Sequence, residues 1–365
     1  MRNYWNYIKT EQLLSLQGGF DNDENALSND EVVFIVVHQV YELWFKLVLR
    51  ELETARSVFR QNPVPDIQLA NAARALRRVV SLFEQAIPHF RVMETLTTRD
   101  YLEFRDRLIP ASGFQSAQLR EIEVLLGLED SMRLPMGREG SFMKALESSD
   151  GTPSPSLERV KKRMQSGPSL KTLIYEWLSR TPIDGPATQE SADRFARAFI
   201  QGHEEEIKTR IELAKQDALT ADDVTRLEER YRAEIKFAER FLMAEDEPDL
   251  DEETRAFRRR VRAAAVFLES YRELPRLAWP REVIDLVLAV EQQMLIWRQR
   301  HARMVERVIG RRTGTGGSAG VDYLDKTALH YRIFGDFWAV RTILLRKPSV
   351  PHIEHEEAYG FKIED

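Results

Sequence analysis

The chain has 365 residues, 43% of them hydrophobic and 31% charged, with a net charge of −6 and no cysteine. That length can bury a large core, as one domain or two, while the mild charge without a Lys/Arg block excludes the electrostatic footprint of a nucleic-acid or membrane-surface binder. The lack of cysteine excludes disulfides, thiolate chemistry and cysteine-ligated metals, and suits a reducing cytoplasm. The opening MRNYWNYIKTEQLL has no apolar leader core, and no run reaches the ~20 apolar residues of a membrane span. Val/Ile/Thr alternation bounded by turns is scarce. The expected fold class is therefore all-α, with residues 1–365 forming one large helical domain.

Residues 1–27 are dense in aromatic and aliphatic side chains, among them Tyr4, Trp5, Tyr7 and Ile8, without clean periodicity. Such rings need burial, in this chain or against a neighbouring subunit. Gly18, Gly19 and Asn22 break the chain. Ser28 and Glu31 then stand in helix-capping spacing, and the stretch Glu31 to Arg50 follows. Phe34, His38, Tyr41, Phe45 and Val48 recur at spacings of four and three, on one face. Polar residues form only a narrow stripe, Gln39, Glu42, Lys46 and Arg50, so a helix buried on most sides is expected. Residues 66–96 read as a long helix kinked at Pro88. Thr97 and Asp100 repeat the capping spacing, placing a helix start near Arg99, with Tyr101 and Arg105 on one face and Pro110 at its end. ASGFQS is a turn, and Gly127 stops the helix after it.

Glycines and prolines break up residues 128–168, read as an insertion with one or two short helices; the variable region as a whole is taken as 128–186. Residues 169–180 form a helix. Residues 188–276 are charged helices with solvated faces, separated at 246–253. A long helix follows from Arg281 to Ile309, in which Val287, Val290, Met294, Trp297, His301, Met304 and Val308 keep helical spacing throughout. RRTGTGGSAG over 311–320 cannot be a helix interior, and its glycines allow movement and close backbone approach to a ligand. A last helix is expected over 330–345 and a polar tail over 346–365.

His38 and His301 lie far apart in sequence, both on apolar helix faces. A core histidine with a hydrogen-bond partner explains either one alone. Two of them, with no carboxylate in the same stripes, also suit an apolar group held between helices by imidazole. Zinc needs three or four ligands and fits poorly; haem, a large apolar plate held by one neutral histidine, fits better. Tyr101 and Arg105 read either as a carboxylate-gripping pair or as a surface arginine beside an acidic neighbour. His352 and His355 have possible ligand spacing but lie in the polar tail. GTGGS lacks the Gly-Lys-Ser/Thr ending of a phosphate loop.

Several blocks resemble the tryptophan 2,3-dioxygenase family: YWNYIKTEQLLSLQ, FIVVHQVYELWFKLVLREL, METLTTRDYLEFRDRLIPASGFQSAQLREIEVLLG, WRQRHARMVERVIG and GTGGSAGVDYL. They occur in that family's order and at compatible separations. The likeness covers residues 1–127 and 281–345, and is weak across 128–280, where the family varies in length. It implies an all-α, cytoplasmic, homotetrameric enzyme with haem b, ferrous when active, that adds O₂ to L-tryptophan to give N-formylkynurenine. By the same resemblance His301 is the axial iron ligand, and His38 lies on the substrate side, where it accepts from the indole N–H. Phe34 packs on the indole, Tyr101 shapes the slot and Arg105 holds the carboxylate. Thr315 closes over the amino-acid end, Ser112 lies near the haem, and Tyr4, Tyr7 and Ile8 reach a neighbouring subunit's site. Ile8 departs from the family's usual leucine. The alternatives are a relative that inserts one oxygen atom or takes a modified tryptophan, a haem-binding sensor without turnover, and a helical interaction protein without a cofactor. Arg105 and GTGGS serve a substrate and not a haem, which favours an enzyme.

Overall fold

The computed structural model describes residues 2–109, 111–135, 143–147, 152–216, 220–315 and 320–360. Among them there is no strand, and the fold is all-α as expected. In chain order the helices are α1 (Tyr4–Tyr7), α2 (Thr10–Leu13), α3 (Asn29–Phe59), α4 (Asp66–Met93), α5 (Thr98–Leu108), α6 (Ala117–Leu126), α7 (Pro155–Met164), α8 (Leu170–Leu178), α9 (Gln189–Gln216), α10 (Ala221–Leu242), α11 (Glu252–Ser270), α12 (Ala278–Ile309), α13 (Val321–His330) and α14 (Gly335–Ile343). The expected ends of α3 and α5 rest on real caps. Ser28 Oγ accepts from the Glu31 N–H at 3.2 Å, and Thr97 Oγ1 accepts from the Asp100 N–H at 3.2 Å. Gly127 ends α6 at φ 109°, a left-handed position that suits a residue without Cβ. α4 runs on through Pro88.

The chain forms two compact units. The first comprises residues 1–54, 75–169 and 289–333. Its α3 segment buries Val37, Tyr41, Phe45, Val48, Leu49 and Leu52, and the Tyr41 hydroxyl donates to the Ala86 carbonyl of α4 at 3.0 Å. Gln118 of α6 donates to the Glu42 carbonyl at 2.7 Å. α7 lies against α6, where Arg163 pairs with Glu121 at 3.3 Å, and Leu157 and Val160 join Leu146 and Tyr323 in a small apolar cluster. Of the insertion, residues 136–142 and 148–151 lie outside the described set; the rest supplies 3₁₀ turns, α7 and α8.

Three expectations are corrected here. α3 is not buried on most sides: Val36, Leu43 and Leu47 remain 38%, 46% and 42% exposed. Their spacing of seven and four makes a second apolar stripe that the chain itself does not cover. α3 is also long and apolar enough to cross a bilayer by length and composition, because Glu42 and Lys46 dilute the run too little; its inner face is core. The last helix is likewise not one element over 330–345. α13 ends at His330, Tyr331 to Phe334 leave helical geometry, and α14 restarts at Gly335. Within the gap the Ile333 N–H donates to the buried Glu291 carboxylate of α12.

The second unit comprises residues 55–74, 170–288 and 334–365. α9, α10, α11 and α14 pack around Phe195, Phe199, Phe267 and Phe337, all buried. Arg262 is 2% exposed and is held by Asp246 at 2.5 Å and Asp336 at 2.9 Å. The outer faces of α9 and α10 carry pairs such as Arg226–Asp223 and Arg232–Glu228, as the charge runs suggested. In the tail the His355 N–H donates to Asp184 at 2.9 Å, and its Nδ1 lies 3.8 Å from Glu357.

Candidate active site

All ten site residues expected from the sequence fall in the first unit. α3 and α5 build one wall. Phe34 and His38 are one helical turn apart, with ring centroids at 4.1 Å, and Phe34 also meets Tyr101 at 5.9 Å and Phe104 at 5.6 Å. His38 Nδ1 lies 2.7 Å from the Phe34 carbonyl. A carbonyl only accepts, so Nδ1 carries the proton and Nε2 is left as an acceptor. Burial lowers the His38 pKa, against the Phe34 bond and the Glu42 charge, which raise it. The ring is therefore neutral near pH 7. Tyr101 is buried, and burial pushes its phenol up while the Arg105 guanidinium opposes that shift, so the hydroxyl keeps its proton.

α12 and α4 build the other wall. His301 stacks on Phe90 at 5.5 Å with planes 14° apart and lies 5.3 Å from Trp297. Tyr41 and Phe45 close the cage behind, at 6.0 Å and 5.6 Å from Trp297. Burial above all, then electrostatic interaction with Arg298 and with His38 where that ring is protonated, pushes the His301 imidazole down to about 4. It is neutral at physiological pH, the state in which imidazole binds a metal. No hydrogen bond to its nitrogens is found among the described residues, and the buried Trp297 Nε1 likewise lacks a partner. The described residues hold no group of three or more His, Asp or Glu side chains placed for a metal ion. A metal here would have a single protein ligand in an aromatic setting, as haem iron does. The residues present fit a haem.

The polar groups that the sequence resemblance assigns to the substrate lie at the end of α5 and in the segments beside it. Arg105 donates from Nη2 to the Thr313 carbonyl at 2.5 Å, while its buried Nε has no partner among the described residues. The Thr315 hydroxyl donates to the Ala111 carbonyl at 2.6 Å. The start of the glycine-rich loop is thus stitched to α5 and to the turn after it, although Gly316, Gly317, Ser318 and Ala319 lie outside the described residues. Ser112 caps that turn: its Oγ accepts from the Phe114 N–H at 3.3 Å, and its own N–H donates to Gln115 at 3.1 Å.

A profile of the family described as tryptophan 2,3-dioxygenase matches residues 1–344. The chain belongs to that family. A protein of Sorangium cellulosum named tryptophan 2,3-dioxygenase is 68% identical over 363 residues, covering 100% of this chain and 88% of that one. A Ralstonia nicotianae protein named tryptophan 2,3-dioxygenase 2 is 57% identical, covering 98% of this chain and 97% of its own. A Xanthomonas campestris protein named tryptophan 2,3-dioxygenase-like protein is 54% identical, covering 74% of this chain and 99% of its own. The match bears out the resemblance drawn from the sequence blocks. As a tryptophan 2,3-dioxygenase relative, the chain leaves three expected site residues exposed: Tyr4, Tyr7 and Ile8, at 75%, 87% and 42%. Sequence reasoning assigned no site role to Phe104, Phe90 or the loop carbonyl of Thr313. Phe104 had a signal, three residues from Tyr101 on one helix face; a backbone carbonyl has none.

Proposed function

We propose that the chain is a haem-dependent dioxygenase that adds both atoms of O₂ across the indole C2–C3 bond of L-tryptophan to give N-formylkynurenine. The observation that carries the reading is the unequal treatment of the two histidines. His38 has one nitrogen tied to its own helix and the other left as an acceptor, whereas His301 is neutral, caged by rings and without a protein partner. His301 and Ser112 would hold haem b. Haem, when bound, supplies the binding and activation of dioxygen.

The chain's own residues do the rest. His38 Nε2 accepts from the indole N–H and fixes which edge of the ring faces the reaction. Phe34 and Tyr101 shape an apolar slot that excludes water. Arg105 grips the carboxylate, exchanging the Thr313 carbonyl for a bidentate, charge-assisted pair. Thr315 takes the amino-acid end. Reduced enzyme given L-tryptophan under ¹⁸O₂ is expected to yield a product with two labelled oxygens. One labelled oxygen would indicate a single-atom oxygenase instead, and no product would indicate a haem sensor.

Arg105→Lys is expected to weaken apparent tryptophan affinity by ~1.5–3 kcal/mol, the scale of a charged hydrogen bond, because an ammonium cannot reproduce the planar grip. Tryptamine, which lacks the carboxylate, should lose far less. Equal losses for the two ligands in parallel titrations would remove Arg105 from the carboxylate.

The working form is read as a cytoplasmic homotetramer. Supporting it are the uncovered stripe of Val36, Leu43 and Leu47 and the exposed N-terminal side chains Tyr4, Tyr7, Leu14, Leu16 and Phe20. Gln39 anchors that segment: its Nε2 donates to the Leu16 carbonyl at 2.8 Å, and its Oε1 accepts from Gln17 at 2.7 Å. Tyr4, Tyr7 and Ile8 are thereby left free to enter a neighbour's site. Deleting residues 1–10 is expected to loosen the assembly in analytical ultracentrifugation and to weaken tryptophan binding together. An intact tetramer with intact binding would remove the segment from both roles.

A further inference from the structure

A buried charge cluster lies on the flank of α12 beside His301. Glu123 of α6 is fully buried, at 0% exposure. Three guanidiniums converge on its carboxylate: Arg298 at 2.5 Å, Arg133 at 2.7 Å and Arg120 at 3.0 Å. Arg298, itself 8% exposed, also lies over the Tyr331 ring at 4.8 Å from its centroid, which fixes the position of its head group. Glu291 shares a cavity of about 10 Å³ with Glu123, Arg298 and Tyr331, room for about one water. Asp130 also pairs with Arg133, at 3.1 Å, so the cluster is balanced as a whole; Arg298 is the member that α12 carries one turn from His301.

We propose that Arg298, held in place by Glu123, is a positioning residue whose buried cation favours the reduced state of the iron bound at His301. The proposal rests on the haem reading above and deepens it. Residues three apart share a helix face, so Arg298 sits one turn before His301 on the same side of α12. A guanidinium never loses its charge in the physiological range, and in a buried setting that charge acts with little screening. An iron centre that gains an electron becomes less positive, so a nearby fixed cation stabilises the product of that gain.

The test is a spectroelectrochemical titration of full-length, haem-loaded enzyme and its variants, with haem content and absorption spectrum recorded in parallel. Arg298→Gln is expected to keep a histidine-ligated spectrum but to lower the ferrous-to-ferric ratio at a fixed potential by roughly three- to thirtyfold, the scale of one unit charge in a protein-like medium. Arg298→Lys keeps the charge and should restore most of that ratio. Glu123→Gln removes the opposing charge and should move the ratio the other way. A merely structural role would move all three variants in one direction or none. If Glu123→Gln does not fold, the contrast between Gln and Lys at 298 decides alone. Equal midpoints for those two variants, or no shift in either, would overturn the proposal. A wild-type protein without histidine-ligated haem would instead overturn the reading on which it rests.

Discussion

His301→Ala is expected to lose haem or to leave it without its axial ligand, with an altered spectrum even in the absence of substrate. The ring fills a slot between Phe90 and Trp297, while His89 meets the cage at Tyr41, 5.3 Å away. Its neutral state follows from burial, so the lone pair is available without a competing proton. Haem affinity should fall by more than the ~10–100-fold that changes around a ligand typically cost. Added imidazole can enter the slot and should recover part of the spectrum. His38→Ala is expected to behave oppositely. Haem content and the histidine-ligated spectrum should persist, and turnover should fall by the worth of one positioning hydrogen bond, roughly 0.5–3 kcal/mol or up to about a hundredfold. The 1-methyl analogue of tryptophan, with no N–H to donate, should show much less of that loss. Haem content and spectra of the two variants, measured side by side, check the assignment. A haem-free His38 variant beside a normal His301 variant would reverse the two faces.

Much of this was legible in the sequence because it is local. The helical spacing from Phe34 to Val48 and from Val287 to Val308 gave α3 and α12, and Ser28, Thr97 and Gly127 gave ends that the structure keeps. What periodicity could not give is which partner covers an apolar stripe. Val36, Leu43 and Leu47 read as interior although the chain leaves them exposed, since a core face and an intersubunit face look alike in spacing. Contacts that run to backbone were also invisible. Arg105 and Thr315 were found as side chains, but the carbonyls of Thr313 and Ala111 that hold them carry no residue signature. Glu123 was missed for a third reason. In REIEVLLG it reads as one charge on a helix surface, and only the distant arrival of Arg298 turns it inward. The break at Tyr331 to Phe334 depends similarly on the Glu291 carboxylate, which accepts the Ile333 N–H in place of a helical carbonyl.

Glu123→Ala is expected to be the most damaging single change away from His301. The carboxylate is wholly buried, and Arg120, Arg133 and Arg298 converge on it. Taking away one member of a buried pair leaves charge in a poorly solvated setting, at a cost of about 3–5 kcal/mol, of the order of half the stability of an ordinary domain. With three cations losing a shared partner, the upper part of that range is expected. Arg298→Met should cost less, because Glu123 keeps two guanidiniums. A double variant, Glu123→Met with Arg298→Met, should recover part of the loss through packing of the apolar replacements. The same cluster gives an acid dependence whose sign is fixed. Burial alone would raise the Glu123 pKa, but Arg120, Arg298 and Arg133 outweigh it and hold the group well below its ordinary 4.5. A carboxylate depressed in the folded state contributes its full stability above that ordinary value, and loses it as the pH falls toward the folded one. Wild-type stability should therefore decline as the pH drops below about 4.5, and the Glu123→Ala protein should decline less steeply over the same window. Urea unfolding of both proteins at neutral pH and at acid pH measures this directly. Parallel pH profiles would mean that the carboxylate is not held by its three arginines.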